Sequence, residues 1–156
     1  MYFASVLALM LIFPLLSIGI QMLLGGPGTL TAFLAAKWFV FWMVGVRLLL
    51  AGIRQIVQPS YTAEQILGVK DPDAALIVRE LGIANTAIGC IGAASLHFRH
   101  WAFPIGLIGA IFYALAGINH AADKHRTRPQ NVAMFSDLAA AVVLVILCGA
   151  SAQDLL

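Results

Sequence analysis

The feature that most constrains the fold is a set of five long apolar runs, each close to the roughly 20 residues that a helix needs to cross a bilayer. Pro, Gly and charged residues, which end helices, separate the runs. Backbone groups in hydrocarbon must pair within the protein, and the runs lack the period-two alternation of barrel strands. We therefore predict an all-α membrane protein, a single domain over 1–156, with transmembrane helices at about 3–24, 32–54, 74–97, 101–121 and 136–154.

The composition excludes several other classes of protein. The chain is 62% hydrophobic and 10% charged, whereas a soluble domain carries roughly 25% charged residues. Its net charge of +2 is too small to indicate a nucleic-acid partner. Cys90 and Cys148 lie inside apolar runs and lack the spacing of a redox or zinc motif. The expected surroundings are a lipid bilayer, with no metal site.

Basic residues near the helix ends predict the orientation. With five spans, the N-terminus and the loops 55–73 and 122–135 share one side of the membrane. That side is the richer in Lys and Arg, so the positive-inside rule places it, with the N-terminus, in the cytoplasm and the C-terminus outside. The residues compared are Arg54, Lys70, Arg79, Lys124, Arg126 and Arg128 against Lys37 and Arg99.

A short amphipathic helix is predicted at about 60–68, in the first of these loops. Ser60 or Thr62 would begin it, with Glu64 and Gln65 in range of a capping box.

Arg47 and Glu80 lie well inside the predicted spans, where a charge costs roughly 2.5–3.5 kcal/mol and is usually paired or functional. From the helical rise per residue, Arg47 lies about 10 Å and Glu80 about 9 Å inside the predicted cytoplasmic ends of their helices. Because the two depths match, we predict an Arg47–Glu80 ion pair between neighbouring helices.

Other polar groups reach the same half of the predicted bundle. The fourth run carries Gly106, Gly109, Tyr113, Gly117, His120 and Lys124 on one face, where the glycines allow close helix packing. The candidate ligand-binding residues are therefore Arg47, Gln55, Glu80, Asn85, Tyr113, Asn119, His120 and Asp137.

Two interpretations of this set stay open. The polar groups either join the helices through hydrogen bonds, worth about 0.6 kcal/mol each, or they line a cytoplasm-facing cavity. If the protein is an enzyme, Glu80 and His120 are the candidate catalytic residues, since a buried Glu and a His can exchange protons near neutral pH. No two histidines share a depth on facing helices, so a bis-histidine haem is not expected, and the cofactor is unknown.

Two stretches of sequence resemble a known group. The stretch "RLLLAGIRQIVQP", with Arg47, Gly52, Arg54 and Pro59, resembles the first helix of the DoxX-like membrane proteins. The stretch "RELGIANTAIG" resembles their Glu-containing helix, with Glu80. The chain resembles an uncharacterised bacterial membrane family beside DoxX more closely still. The stretches that carry this resemblance are "KWFVFWMVGVRLLLAGIRQ" and "PSYTAEQI".

This resemblance covers about 37–150. It implies a four-helix bundle made of the second to fifth helices, with the first helix as an addition, in a bacterial inner membrane. DoxX-like proteins have been linked to quinol-related electron transfer and to redox partnerships.

We therefore expect an integral inner-membrane protein that binds a small lipophilic or amphipathic molecule, such as a quinone, isoprenoid or lipid, in a cytoplasm-facing polar pocket. One alternative is a membrane enzyme that uses Glu80 and His120 for proton transfer. Another is a structural or partner-binding subunit of a redox complex. Small-residue seams such as "GCIGAAS" and "GLIGAIFYALAG" would serve equally within one chain or in a homo-oligomer.

Overall fold

The structure is a computed structural model that describes residues 2–26 and 30–155, with side chains over 3–26 and 30–152. The described residues form helices and no strand, and five helices are long and apolar enough to cross a membrane. The predicted all-α membrane class is thereby confirmed. The membrane helices are α1 (Phe3–Gly25), α2 (Ala32–Val57), α3 (Ala74–Ala94), α4 (Arg99–Ala122) and α5 (Arg128–Ala152, helical on to Leu155). We call the side that holds the start of α1 the N-terminal side.

The first helix is interrupted by a π-helical segment over Ala8–Ile12. Pro14 follows it and has no N–H to donate, so the regular i to i−4 pattern cannot continue there. The N–H of Phe13 donates to the carbonyl of Ala8, five residues back. The helix ends where Gly26 adopts a positive φ of 85°. The predicted break at 25–29 is described only up to Gly26, and 27–29 lie outside the described residues.

Tryptophan side chains join the first two helices. The indole Nε1 of Trp38 donates to Oε1 of Gln21 over 2.8 Å, and that of Trp42 donates to Oγ of Ser17 over 3.0 Å. These bonds fix α1 against α2 near the end opposite the N-terminal side.

Glycines set the distance between α2 and α3. A Cβ at Gly52 would come within 2.6 Å of the backbone N of Thr86, and one at Gly45 equally close to the backbone N of Ala93. From α3, a Cβ at Gly89 would collide with the backbone of Leu49. Such close backbone approach is possible only for residues without a side chain, and it is the usual way in which membrane helices pack. This part of the seam "GCIGAAS" therefore packs within the chain.

The core lies between α2, α4 and α5. The fully buried side chains there include Val40 and Val44 of α2, Tyr113 of α4, and Leu144 and Cys148 of α5. A Cβ at Gly109 would collide with Val44, so the predicted glycine face of α4 packs within the bundle. That face is buried as far as Gly117.

The fifth helix begins at Arg128, eight residues before the expected start at 136. A capping box explains the earlier start. Oγ1 of Thr127 accepts from the N–H of Gln130 over 3.3 Å, while Oε1 of Gln130 accepts from the N–H of Thr127 over 2.6 Å. Pro129 is tolerated because the first N–H groups of a helix have no intrahelical partner. Asp137 consequently lies well inside α5 and not at its start.

The predicted amphipathic segment is helical over Pro59–Tyr61 and π-helical over Thr62–Ile66, and we call it the connecting helix. It has no side-chain cap bond at either start, so the predicted capping box is wrong. Two other contacts hold it: the guanidinium of Arg54 lies 3.7 Å from the centre of the Tyr61 ring, and Nε2 of Gln130 donates to the carbonyl of Leu67 over 3.4 Å.

Candidate functional site

The centre of the candidate site is an ion pair between α2 and α5. Nη2 of Arg47 donates to Oδ1 of Asp137 over 2.6 Å and to Oγ of Ser136 over 3.0 Å. The two charged side chains are 12% and 9% exposed, so water screens them little. Ser136 also donates to the carbonyl of Ala133, which fixes its oxygen as an acceptor for the arginine. The pair is short and charge-assisted, the strong class of hydrogen bond.

An aromatic ring from α4 holds the same arginine. The guanidinium carbon of Arg47 lies 4.6 Å from the centre of the Tyr113 ring, within the range of a cation–π contact. The hydroxyl of Tyr113 donates to the carbonyl of Met43, inside a π-helical segment of α2 over Val40–Val46. Segments of this kind occur frequently at functional sites. Three helices thus position one guanidinium.

A cavity of about 400 Å³ opens beside this ion pair on the N-terminal side. All five membrane helices and the connecting helix contribute to its wall. Its polar side chains are Ser5, Arg47, Arg54, Gln55, Thr62, Tyr113, His120 and Asp137, and the remaining wall is mostly aliphatic. We call it the polar cavity. A volume in this range, with apolar walls and a few converging polar groups, is typical of sites that bind small molecules.

The predicted Arg47–Glu80 ion pair is wrong, because Arg47 is paired with Asp137 and Glu80 is exposed. The face of α3 that packs on α2 carries Gly82, Asn85 and Gly89. Glu80 precedes Gly82 by two residues, which is about 200° of rotation at 3.6 residues per turn. It therefore points away from α2 and does not line the polar cavity.

Asn85 and Asn119 also lie outside the wall of the polar cavity. Asn119 is exposed, two residues after the buried Gly117. Asn85 is only 2% exposed and donates through Nδ2 to Oε1 of Gln55 over 2.8 Å, while its own Oδ1 is buried without a hydrogen bond. Gln55 does line the cavity, so Asn85 acts on the site indirectly, by holding the Gln55 side chain in place.

The structure thus brings together five of the predicted site residues: Arg47, Gln55, Tyr113, His120 and Asp137. Sequence reasoning missed Arg54 as a member of the cavity wall and Ser136 as a second hydrogen-bond acceptor for Arg47. Arg54 lies one residue before Gln55 and seven after Arg47, so helical spacing already placed it on the same side of α2.

The loop between α4 and α5 closes this end of the bundle. Arg126 donates through Nη1 to the carbonyls of Ala121, His120 and Asp123, and through Nε to Oδ1 of Asn131 over 3.1 Å. A basic side chain is favourable there because the last carbonyls of a helix have no intrahelical partner. This bonding holds His120, the last polar residue of α4 in the cavity wall, near the mouth.

In the described part of the chain, no three His, Cys, Asp or Glu side chains lie close enough to hold a metal ion.

These features define a multi-pass helical membrane protein with a polar cavity at one end of its bundle. The chain belongs to a family of unknown function, DUF6790, which matches residues 1–154. The expectation of an uncharacterised family is confirmed, while the link to DoxX stays a prediction. No curated protein and no solved structure matches the chain.

Proposed function

We propose that this protein binds a small lipophilic or amphipathic molecule, of the quinone, isoprenoid or lipid type, in the polar cavity. The observation that carries the proposal is the convergence of Arg47, Tyr113, His120 and Asp137 on one cavity of about 400 Å³ with otherwise aliphatic walls. An ion pair used only to join α2 and α5 would not need such a space beside it.

The walls indicate the chemistry of the occupant. Arg54, Gln55 and His120 offer hydrogen bonds to an oxygen-bearing group at the mouth, while Leu48, Phe112 and others would contact an apolar body. The proton-transfer alternative loses its geometric support, since Glu80 is exposed and His120 lines the cavity without it.

We also propose that the cavity faces the cytoplasm of a bacterial cell. The support is the excess of Lys and Arg on the N-terminal side, because the positive-inside rule favours the cytoplasm for the side richer in these residues. Reporter fusions test this placement: a periplasm-active reporter at the C-terminus should be active, and the opposite result would reverse the orientation.

A cavity-filling substitution tests the binding proposal. Ala51 is half-buried in the cavity wall on α2, and Ala51→Phe would occupy the space. Ala84→Phe is the matched control, because Ala84 is exposed on α3 and lines no cavity described above. Native mass spectrometry of both variants and the wild type, purified from membranes, should show a small molecule retained by the wild type and by Ala84→Phe. Ala51→Phe should lose it, and retention by all three proteins would contradict the proposal.

A further inference from the structure

A second cavity lies on the other side of α1 from the polar cavity. It has a volume of about 490 Å³ and is formed by α1, α2 and α5. Its wall is almost wholly apolar, and we call it the apolar groove. The residues that line it are Phe3, Val6, Leu7, Met10, Leu11, Phe39, Met43, Asn131, Val132, Phe135, Ser136, Ala139 and Val143.

The two cavities share part of their walls. Val6 of α1 lines both of them and is 9% exposed. Opposite it on α5, Ser136 lines the groove and Asp137, the next residue, lines the polar cavity. Both of these side chains bond to the same atom of Arg47, so the ion pair marks the boundary between the two spaces.

The groove runs in the direction of a lipid chain. On α5 its wall extends from Asn131 to Val143, which is about 18 Å along the helix axis. Asn131 lies near the N-terminal side, and Val143 lies toward the middle of the span. A hydrocarbon chain in the leaflet on that side has the same direction and a comparable depth, since half of a bilayer core is about 15 Å.

The polar cavity carries an excess of positive charge. Arg47 is neutralised by Asp137, and this is the one ion pair within 4.0 Å among the described residues. Arg54, at the mouth, is therefore left without a carboxylate partner and is held in place by the Tyr61 ring. An anionic group is the ligand that such a guanidinium binds best.

We infer that the two cavities are two parts of one site, which binds an anionic amphiphile. Its carboxylate or phosphate head would lie in the polar cavity at Arg54, and its hydrocarbon chain would lie in the apolar groove. The inference rests on the proposed function and narrows its ligand class. In this arrangement, α1 lies between the two cavities and contributes to the wall of each.

The test uses oleate as the probe, with oleyl alcohol and acetate as the uncharged and chain-free comparisons. Binding to the purified full-length protein in detergent micelles is measured by native mass spectrometry. Oleate should bind at least roughly tenfold more tightly than either comparison, a difference of about 1.4 kcal/mol. Equal binding of oleyl alcohol would overturn the anionic head. The same measurement with oleoyl lysophosphatidate compares a phosphate head with the carboxylate of oleate. The probe that binds more tightly identifies the preferred head group.

Two further variants separate the parts of the site. Ala139→Phe fills the groove from an exposed position on α5, and Ala150→Phe is the control on the same face of the same helix, outside both cavities. Ala139→Phe should weaken oleate at least roughly tenfold while Ala150→Phe does not. Arg54→Gln should weaken oleate but not oleyl alcohol. Equal unfolding midpoints of the Phe variants verify that both are folded.

The outcomes distinguish this inference from the proposed function. If Ala139→Phe binds oleate like the wild type while Ala51→Phe loses it, the chain does not lie in the groove and the inference fails, whereas the polar cavity remains a binding site. If the wild type binds none of the probes and Ala51→Phe retains the same molecules as the wild type, both fail together.

Discussion

Removing one partner of the Arg47–Asp137 pair should destabilise the protein far more than removing both. Arg47→Met leaves the Asp137 carboxylate in a site where its side chain is 9% exposed, without its short bond to the guanidinium. Breaking a buried pair in this way typically costs roughly 3–5 kcal/mol. The cation–π contact with Tyr113 is lost as well and adds to the loss.

The double variant Arg47→Met/Asp137→Leu should recover most of this stability. Both desolvation costs are removed, and apolar side chains fill the space, a replacement that is often neutral or stabilising in other proteins. We expect a coupling energy of about 3 kcal/mol in the double-mutant cycle.

Reversible unfolding in detergent micelles, followed by circular dichroism, measures these free energies. Arg79→Met is the control, since Arg79 is exposed and should change the free energy of unfolding by less than about 0.5 kcal/mol. If the losses in the two single variants add up in the double variant, the two residues are not coupled, and this result would contradict the ion pair.

Three further variants test the packing and the boundaries of the helices. Gly89→Ala should lower the free energy of unfolding by about 1–3 kcal/mol, because its Cβ would overlap the backbone of α2. Gly149→Ala is the control and should be tolerated, since a Cβ there would have nothing within 4 Å. Equal unfolding midpoints of the two variants would contradict the close packing. Thr127→Ala should cost about 0.5–2 kcal/mol through loss of the capping box, while Ser60→Ala, at a position without a cap bond, should cost little in the same unfolding assay. Glu80→Gln should leave the unfolding midpoint unchanged, since Glu80 is exposed. A marked drop in the midpoint would contradict the exposed position of Glu80.

The helices could be predicted from the sequence because length and apolarity alone decide whether a segment can span a bilayer. The polar cavity can be predicted in part: Arg47, Tyr113 and His120 all fall in the N-terminal half of the predicted bundle, and Tyr113 and His120 share one helical face. Depth, however, does not define which way a side chain points around its helix. Glu80 and Asp137 lie at comparable depth, and the choice between them depends on the rotation of α3 and α5.

The information on rotation was present in the glycines. Gly82 and Gly89 mark the face of α3 that approaches α2, and Glu80 is on the opposite face. The start of α5 was missed for a different reason. The apolar run begins late, and the capping residues Thr127 and Gln130 are polar, so an assignment based on hydropathy alone stops short of them.

The apolar groove could not be predicted, because it arises where the helices do not fill the space between them. The apolar groove depends on how α1 packs against α5, and most residues of α1 would be equally suited to facing lipid. Only the positions of the side chains in the assembled bundle distinguish a lipid-facing surface from the wall of a cavity.

The most direct test of the polar cavity is photo-crosslinking in native membranes. A benzophenone amino acid is introduced at position 51, in the cavity wall, and in a second protein at position 84, on the exposed face of α3. After irradiation, mass spectrometry of the labelled peptides identifies what lay beside each position. If the cavity binds a specific molecule, position 51 should carry one adduct of defined mass that position 84 lacks. The same mixture of bulk lipids at both positions would contradict a specific binding site.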